Sequence, residues 1–216
     1  MIKIIDKTGD RNINLMRTLI FAFCIMIKKE LRKLYKEKRQ SISDRERMKM
    51  DDLLLIQFQK MFLEQVDVLF TYWPLSDAAE PNTLLFTRYM HHMIPGLHIA
   101  YPITDFSALS MQAILVNEDT DYHTNNHGIT EPREGEVIPP EMIDVVFVPM
   151  LICDKDGYRV GFGKGFYDRF LPKCRRDVLK IGFSYFDPID KIDDTDAYDV
   201  PLNFCITPER IYEMQG

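Results

Sequence analysis

Residues 145–151 form an apolar run of strand length. The stretch from Gly157 to Leu171 follows it and carries glycine at 161, 163 and 165, with Lys164 between the last two. Strand, glycine-rich turn and short amphipathic segment, in that order, suit a sheet whose strands feed directly into helices. Glycines at the turn let backbone N–H groups approach a ligand closely, and Lys164 adds a point positive charge among them. The combination suits phosphate. The competing interpretation is a bare linking turn, which has no use for a lysine between glycines.

Two known phosphate motifs do not fit. A Walker A loop needs glycine five positions before Gly163, where Tyr158 stands, and a hydroxyl after the lysine, where Gly165 stands. A dinucleotide fingerprint needs Gly-x-Gly-x-x-Gly, whereas the spacing here is Gly161-x-Gly163-x-Gly165 and the motif falls late in the chain.

The rest of the chain reads as alternating helices and strands. Lys28 to Ser41 has helical periodicity, with Leu31, Leu34 and Tyr35 on one face. Ser43 and Glu46 form an N-cap and capping box for a second helix reaching about Val66. Its Leu53, Leu54, Ile56, Phe58, Met61 and Phe62 are expected in the core. A strand over 68–73 ends on Trp73, read as core, and a helix spans 83–93. Further strands are expected over 98–102, 110–116, 145–151, 179–185 and 204–207. This alternation predicts a single α/β domain, a three-layer α/β/α arrangement with a largely parallel central sheet. Ligands of such sheets sit beyond the carboxyl ends of strands, where the glycine-rich run lies.

Composition bounds the function. With 216 residues, 46% of them hydrophobic, and no linker or repeat, the chain can build one sizeable core. A net charge of −6 argues against nucleic acid as a main partner. The apolar run from Leu19 to Ile27 is too short to span a bilayer. Cys24, Cys153, Cys174 and Cys205 show no Cys-x-x-Cys spacing, and His91, His92, His98, His123 and His127 show no zinc pattern. Reduced thiols, a cytoplasmic location and surface histidines follow. Basic residues concentrate over 28–49, either to face an anionic ligand or as a solvated helix face.

The glycine-rich run resembles the signature of the 5-formyltetrahydrofolate cyclo-ligases, Gly-Tyr-Arg-Leu-Gly-Tyr-Gly-Lys/Gly-Gly-Tyr-Tyr-Asp-Arg. It differs only in Val160, Phe162 and Phe166. Other blocks agree in order and spacing. Lys28 to Arg32 is similar to an N-terminal Lys-x-x-Leu-Arg helix, and Glu80 to Thr83 to a Glu-x-x-Thr step. Gly128 to Pro132 resembles Gly-Ile-x-Glu-Pro, and Asp199 to Leu202 with Ile206 to Pro208 a closing segment. The likeness covers about residues 26 to 213, so residues 1–25 read as an extension upstream of Met26 and 26–216 as the domain.

The resemblance implies ATP-dependent closure of 5-formyltetrahydrofolate to 5,10-methenyltetrahydrofolate in a monomer or weak dimer. It implies catalytic roles for Lys164 and Arg159, the latter competing with a salt bridge to Asp154 or Asp156. ATP contacts would come from Lys28, Lys29, Glu30, Leu31 and Arg32 and from the stretch Arg159, Val160, Gly161, Phe162, Gly163, Lys164, Gly165, Phe166 and Tyr167. Folate contacts would come from Leu75, Glu80, Phe162, Gly163, Lys164, Gly165 and Phe166. Asp168 and Asp199 would hold Mg2+. The family often has histidine before that second aspartate, where Tyr198 stands here. A silent folate- or nucleotide-binding regulator and a phosphotransferase on another small molecule are the alternatives, and Glu80 discriminates the folate reading from a generic kinase.

Overall fold

The alternation resolves into an eight-stranded sheet flanked by helices. The computed structural model describes residues 26–214 apart from residue 64, so the extension over 1–25 lies outside the described residues. In chain order the helices are α1 (Lys28–Gln40), α2 (Asp44–Phe58), α3 (Thr83–Met93) and α4 (Phe166–Phe170). The strands begin with β1 (Val68–Phe70), β2 (His98–Asp105), β3 (Ser110–Val116), β4 (Tyr122–Thr124), β5 (Thr130–Pro132) and β6 (Val137–Ile138). They continue with β7 (Val145–Phe147), β8 (Ile152–Cys153), β9 (Arg159–Val160), β10 (Leu179–Phe183), β11 (Phe204–Ile206) and β12 (Ile211–Glu213).

The main sheet runs β12-β11-β10-β7-β1-β2-β3-β6. Its centre, from β11 across to β2, is parallel, and β12, β3 and β6 pair antiparallel at the edges. The predicted largely parallel sheet is thus present. Its strands are shorter than expected, because the ladder stops near prolines. Val148 still donates to Ile181, but Pro149 has no N–H to offer, and Pro74 lies just beyond the end of β1. β2 instead runs on through Pro102 to Asp105. Its register with β1 ends at Ala100, so the missing N–H of Pro102 faces no partner strand there.

Side chains alternate across the sheet. Leu69, Val145, Phe147, Ile181 and Phe183 face one side with Leu54 and Phe58 of α2 and Phe86 and Met90 of α3. Val68, Phe70, Val146 and Met150 face the other with Phe170 and Leu171. Phe58 meets Phe86, Tyr89, Phe147 and Phe183 edge-on at ring separations of 5.5–6.0 Å. Truncating such a buried ring costs about 3–5 kcal/mol.

The capping box at Ser43 forms as expected. The second helix, however, ends at Phe58, short of Val66, in a turn in which Met61 donates to Phe58. Of the side chains expected in the core only Leu54 and Phe58, four residues apart, are fully buried, while Met61 packs against them half-buried. Leu53 and Ile56 point outward and Phe62 is 85% exposed. On α1 the buried residues are Leu31, Tyr35 and Arg39, again at fours, and Leu34 is exposed. No helix among the described residues is long and apolar enough to cross a membrane.

Candidate active site

From β1 the chain crosses through α3 to β2 on one side, and later returns as β7 on the other side of β1. The segments leaving β1 and β7 therefore diverge, and this reversal of strand order opens a crevice at the carboxyl ends. A cavity of about 810 Å³ lies there. It is walled by the segment Tyr72 to Glu80 after β1, the glycine-rich turn, the first turn of α1 and the loop carrying Asp196, Tyr198 and Asp199.

Asp154 shapes the approach to the glycines. Fully buried, it accepts the N–H groups of Asp156, Tyr158 and Ile192 at 2.9–3.1 Å. It is thus a turn hub, and it does not pair with Arg159. It sits in the turn that joins β8 to β9, and the turn from Gly161 to Gly165 follows that hairpin. Arg32 of α1 donates Nε to the Gly161 carbonyl at 2.9 Å. Gly163 has φ +94°, and a Cβ there would stand 3.2 Å from the Arg32 guanidinium carbon. The position therefore calls for glycine on both backbone and contact grounds. On the far side Arg169 donates Nη2 to the Lys164 carbonyl and Nε to the Leu109 carbonyl, the latter at 2.7 Å. Two arginines thus fasten the turn at its ends. The Lys164 side chain is exposed, lines the cavity, and joins none of the ion pairs among the described residues.

Two cation–carboxylate pairs border the same cavity. Arg159, 8% exposed, donates Nη2 to Asp168 Oδ1 at 2.8 Å and Nη1 to the Val200 carbonyl. Lys28 pairs with Asp199 Oδ2, which also accepts the Asp196 N–H at 2.7 Å. Asp168 Oδ2 and Asp199 Oδ1 have no protein partner among the described residues.

At the other end stands Glu80. Leu75 and Glu80 close a small loop over the 3-10 turn Ser76–Ala78, the Leu75 N–H donating to Glu80 Oε2 at 2.8 Å. Oε1 is buried with no partner among the described residues. Burial pushes this carboxyl up to about 7, against the opposing pull of the Leu75 N–H and of the Arg39 charge. The side walls here are aromatic. Trp73 packs against Tyr122 at 5.2 Å and Tyr101 at 6.2 Å. Phe106 stacks on His127 at 3.6 Å and meets Phe166 edge-on at 5.1 Å. Tyr167 keeps its hydroxyl buried and unpartnered, and burial raises it well above the usual phenol range.

The cavity gathers Lys28, Arg32, Leu75, Glu80, Arg159, Gly161 to Asp168 and Asp199 of the residues singled out from sequence. It does not gather the side chains of Lys29, Glu30, Leu31 or Val160. Leu31 and Val160 are buried together in the core beneath α1, and Lys29 and Glu30 are exposed. Trp73, expected in the core, is half-buried and lines the cavity. So does His127, which was given no role, and Phe106, Tyr198 and Arg169 join them. Trp73 had a readable signal, its place at the carboxyl end of a strand just before Pro74. Phe106 and His127 come from separate loops with no pattern to unite them. Glu131 of the Gly-Ile-x-Glu-Pro block is structural, accepting the Thr104 N–H and hydroxyl and the Asn125 amide at 3.0 Å.

Residues 25–208 match the model of the 5-formyltetrahydrofolate cyclo-ligase family. The 5-formyltetrahydrofolate cyclo-ligase of Mycoplasma pneumoniae is 40% identical over 78 residues, spanning 36% of this chain and 46% of that protein. The protein of the same name from Haemophilus influenzae is 28% identical over 135 residues, 61% of this chain and 70% of the relative. Among solved structures, 5,10-methenyltetrahydrofolate synthetase from Aquifex aeolicus superposes with a TM-score of 0.72 at 27% identity, covering 88% of this chain and 94% of the other. The M. pneumoniae synthetase gives a TM-score of 0.66 at 26% identity, covering 84% and 99%.

Proposed function

The chain belongs to the 5-formyltetrahydrofolate cyclo-ligase family, and on that premise we propose that it closes 5-formyltetrahydrofolate to 5,10-methenyltetrahydrofolate, using ATP and releasing ADP and phosphate. The observation that carries the reading is one cavity with a buried, half-satisfied carboxylate at one end and a glycine-cradled free lysine at the other. A pterin edge presents adjacent N–H donors, which a carboxylate with one open oxygen accepts. Trp73, Phe106 and Phe166 supply flat apolar walls between the two ends.

An N-formyl group is an amide and a poor electrophile. Its oxygen attacks the γ-phosphorus of ATP and ADP leaves. N10 then attacks the activated carbon and loses its proton, and the C–O bond breaks to release phosphate with the former formyl oxygen. In this scheme Lys164 and the N–H groups from Gly161 to Gly165 hold the phosphoryl oxygens, and Arg159 stabilises the charge that develops on them. Lys28 and Arg32 reach the nucleotide from α1. The donor set also fits Mg2+, which takes one or two carboxylates with phosphate oxygens. Asp168 and Asp199 each present one open oxygen, and no three His, Cys, Asp or Glu side chains converge into a closed site among the described residues. The ion would neutralise phosphate charge there.

The test is absorbance of the conjugated methenyl product on mixing purified protein with 5-formyltetrahydrofolate and Mg2+, with and without ATP. Growth only with ATP is expected. Folate binding without turnover would move the reading to a silent binding protein, and absence of folate binding would overturn it.

A further inference from the structure

The two ends of the cavity are built on separate parts of the chain, and Arg169 bonds to both. From α4 it donates Nε to the Leu109 carbonyl at 2.7 Å and Nη2 to the Lys164 carbonyl. Leu109 ends the turn between β2 and β3, the turn that also carries Phe106. Lys164 belongs to the glycine-rich turn. The planar guanidinium therefore forks between the loop that walls the folate end and the loop that cradles phosphate. It joins none of the ion pairs among the described residues.

The surroundings of the fork are shaped to it. Leu109 is held at φ +50°, which a residue with a Cβ keeps only where its neighbours enforce it. Asp105 fixes the start of the same turn, accepting the Ser107 and Ala108 N–H groups at 2.8 and 3.0 Å. Gly165 has φ +67°, and a Cβ there would stand 3.0 Å from Arg169 Nη1, so glycine leaves the guanidinium room to reach back to Lys164. A second contact runs alongside. Phe166, next in the chain after Gly165, meets Phe106 edge-on at 5.1 Å, and the Arg169 guanidinium lies 6.0 Å over the Phe166 ring. Arg169 is exposed, so this joint lies outside the core and can open and close without unfolding the sheet.

Resting on the cyclo-ligase reading, we propose that Arg169 is a positioning residue that couples the two substrate sites: folate seated against Phe106 strengthens nucleotide binding at the glycine-rich turn. A ring packed on Phe106 and Phe166 orders the β2–β3 turn and the start of α4. The Leu109 carbonyl then holds Arg169, and Arg169 holds the Lys164 carbonyl. The glycine-rich turn is thereby ordered before the nucleotide arrives, and the nucleotide loses less entropy in binding. The effect is reciprocal, so nucleotide strengthens folate by the same factor. A phosphate turn that sets only once the formyl acceptor is seated also protects ATP from transfer to water.

The test is calorimetric titration of ADP with Mg2+, with and without saturating 5-formyltetrahydrofolate, in wild type, Arg169→Met and Arg169→Lys. ADP lacks the phosphate that would meet the formyl group, so any coupling passes through the protein and no turnover disturbs the equilibrium. Folate should tighten ADP about tenfold in wild type. Arg169→Met keeps the apolar stem and loses both donors, so the ratio should fall to about one. The single ammonium of Arg169→Lys does not fork across both carbonyls, so it too should lose most of the ratio. A merely structural Arg169 would weaken ADP equally with and without folate, leaving the ratio as in wild type, and that result would overturn the proposal. If Arg169→Met does not fold, an undiminished ratio in Arg169→Lys overturns it equally. Wild type that binds both ligands without coupling would overturn the proposal alone, whereas wild type that fails to bind either ligand would overturn the cyclo-ligase reading with it.

Discussion

Replacing Glu80 by glutamine should flatten one component of the protein's pH-dependent stability. Burial lifts this carboxyl from 4.5 to about 7 in the folded chain, while the unfolded chain titrates near the lower value. Between those two pH values the folded state holds a proton that the unfolded state has lost. Its contribution to stability is full below about 4.5, declines through the window and is gone above about 7. At 1.36 kcal/mol per unit the displacement is worth about 3 kcal/mol. Glu80→Gln is neutral throughout and so has no such decline. The check is urea unfolding of both proteins, without folate, at whole pH steps from 5 to 9. The difference between the two stabilities should widen by about 2.5 kcal/mol across the series, the part of the displacement that lies above pH 5, in favour of the variant at the alkaline end. Asp51 and Asp154, which burial also raises, titrate alike in both proteins and cancel. A difference that stays flat within about 0.5 kcal/mol would refute the assignment of Glu80 as a destabilising, ligand-awaiting carboxylate.

Lys164→Ala should lower turnover by roughly two to three orders of magnitude with the melting temperature unchanged, because the side chain is exposed and joins no ion pair among the described residues. Turnover near that of wild type would remove Lys164 from the phosphate site. Gly163→Ala places a Cβ at φ +94° and 3.2 Å from the Arg32 guanidinium, so the turn must shift at a cost of about 1–2 kcal/mol. The KM for ATP should rise roughly tenfold while folate affinity holds, as measured by separate titrations. Phe58→Ala, remote from the cavity, should cost about 3–5 kcal/mol in chemical unfolding, and the midpoint of folate titration against pH should not move.

Much of the fold is legible because the local signals agree. The capping box at Ser43, the helix from Thr83 to Met93 and the strand from Ser110 to Val116 lie where periodicity and end signals put them. Errors arose where an apolar run outlasted its element. Val145 to Leu151 reads as one strand, yet Pro149 ends the ladder, and the residues beyond it turn into the β8–β9 hairpin that presents the glycines. Leu53 and Ile56 are apolar but fall off the four-residue stripe of Leu54 and Phe58, and Phe62, which would continue it, lies beyond the end of the helix at Phe58 and is exposed. The same rule could have found Arg39, because Leu31, Tyr35 and Arg39 share a stripe. A basic residue in that segment is expected to face either an anionic ligand or water, because charge is costly to bury, whereas Arg39 is buried and donates to the Met150 carbonyl.

The two halves of the cavity differ in legibility for a physical reason. Phosphate recognition needs backbone N–H groups and a nearby cation, which one continuous turn supplies, so Gly161 to Gly165 is visible as a string. Recognition of a flat ring needs walls on opposite sides, and no contiguous segment can face itself across such a slot. Trp73 comes from the segment after β1, Phe106 from the turn after β2, His127 from the β4–β5 hairpin and Phe166 from the start of α4. Likewise Lys28 meets Asp199 across a sequence separation of 171 residues, and Arg32 meets Gly161 across 129. Such pairs exist only after the sheet has brought the carboxyl ends of β1 and β7 side by side. The residues that make the site a phosphate site are therefore written locally, whereas those that choose which small molecule receives the phosphate are written in the topology.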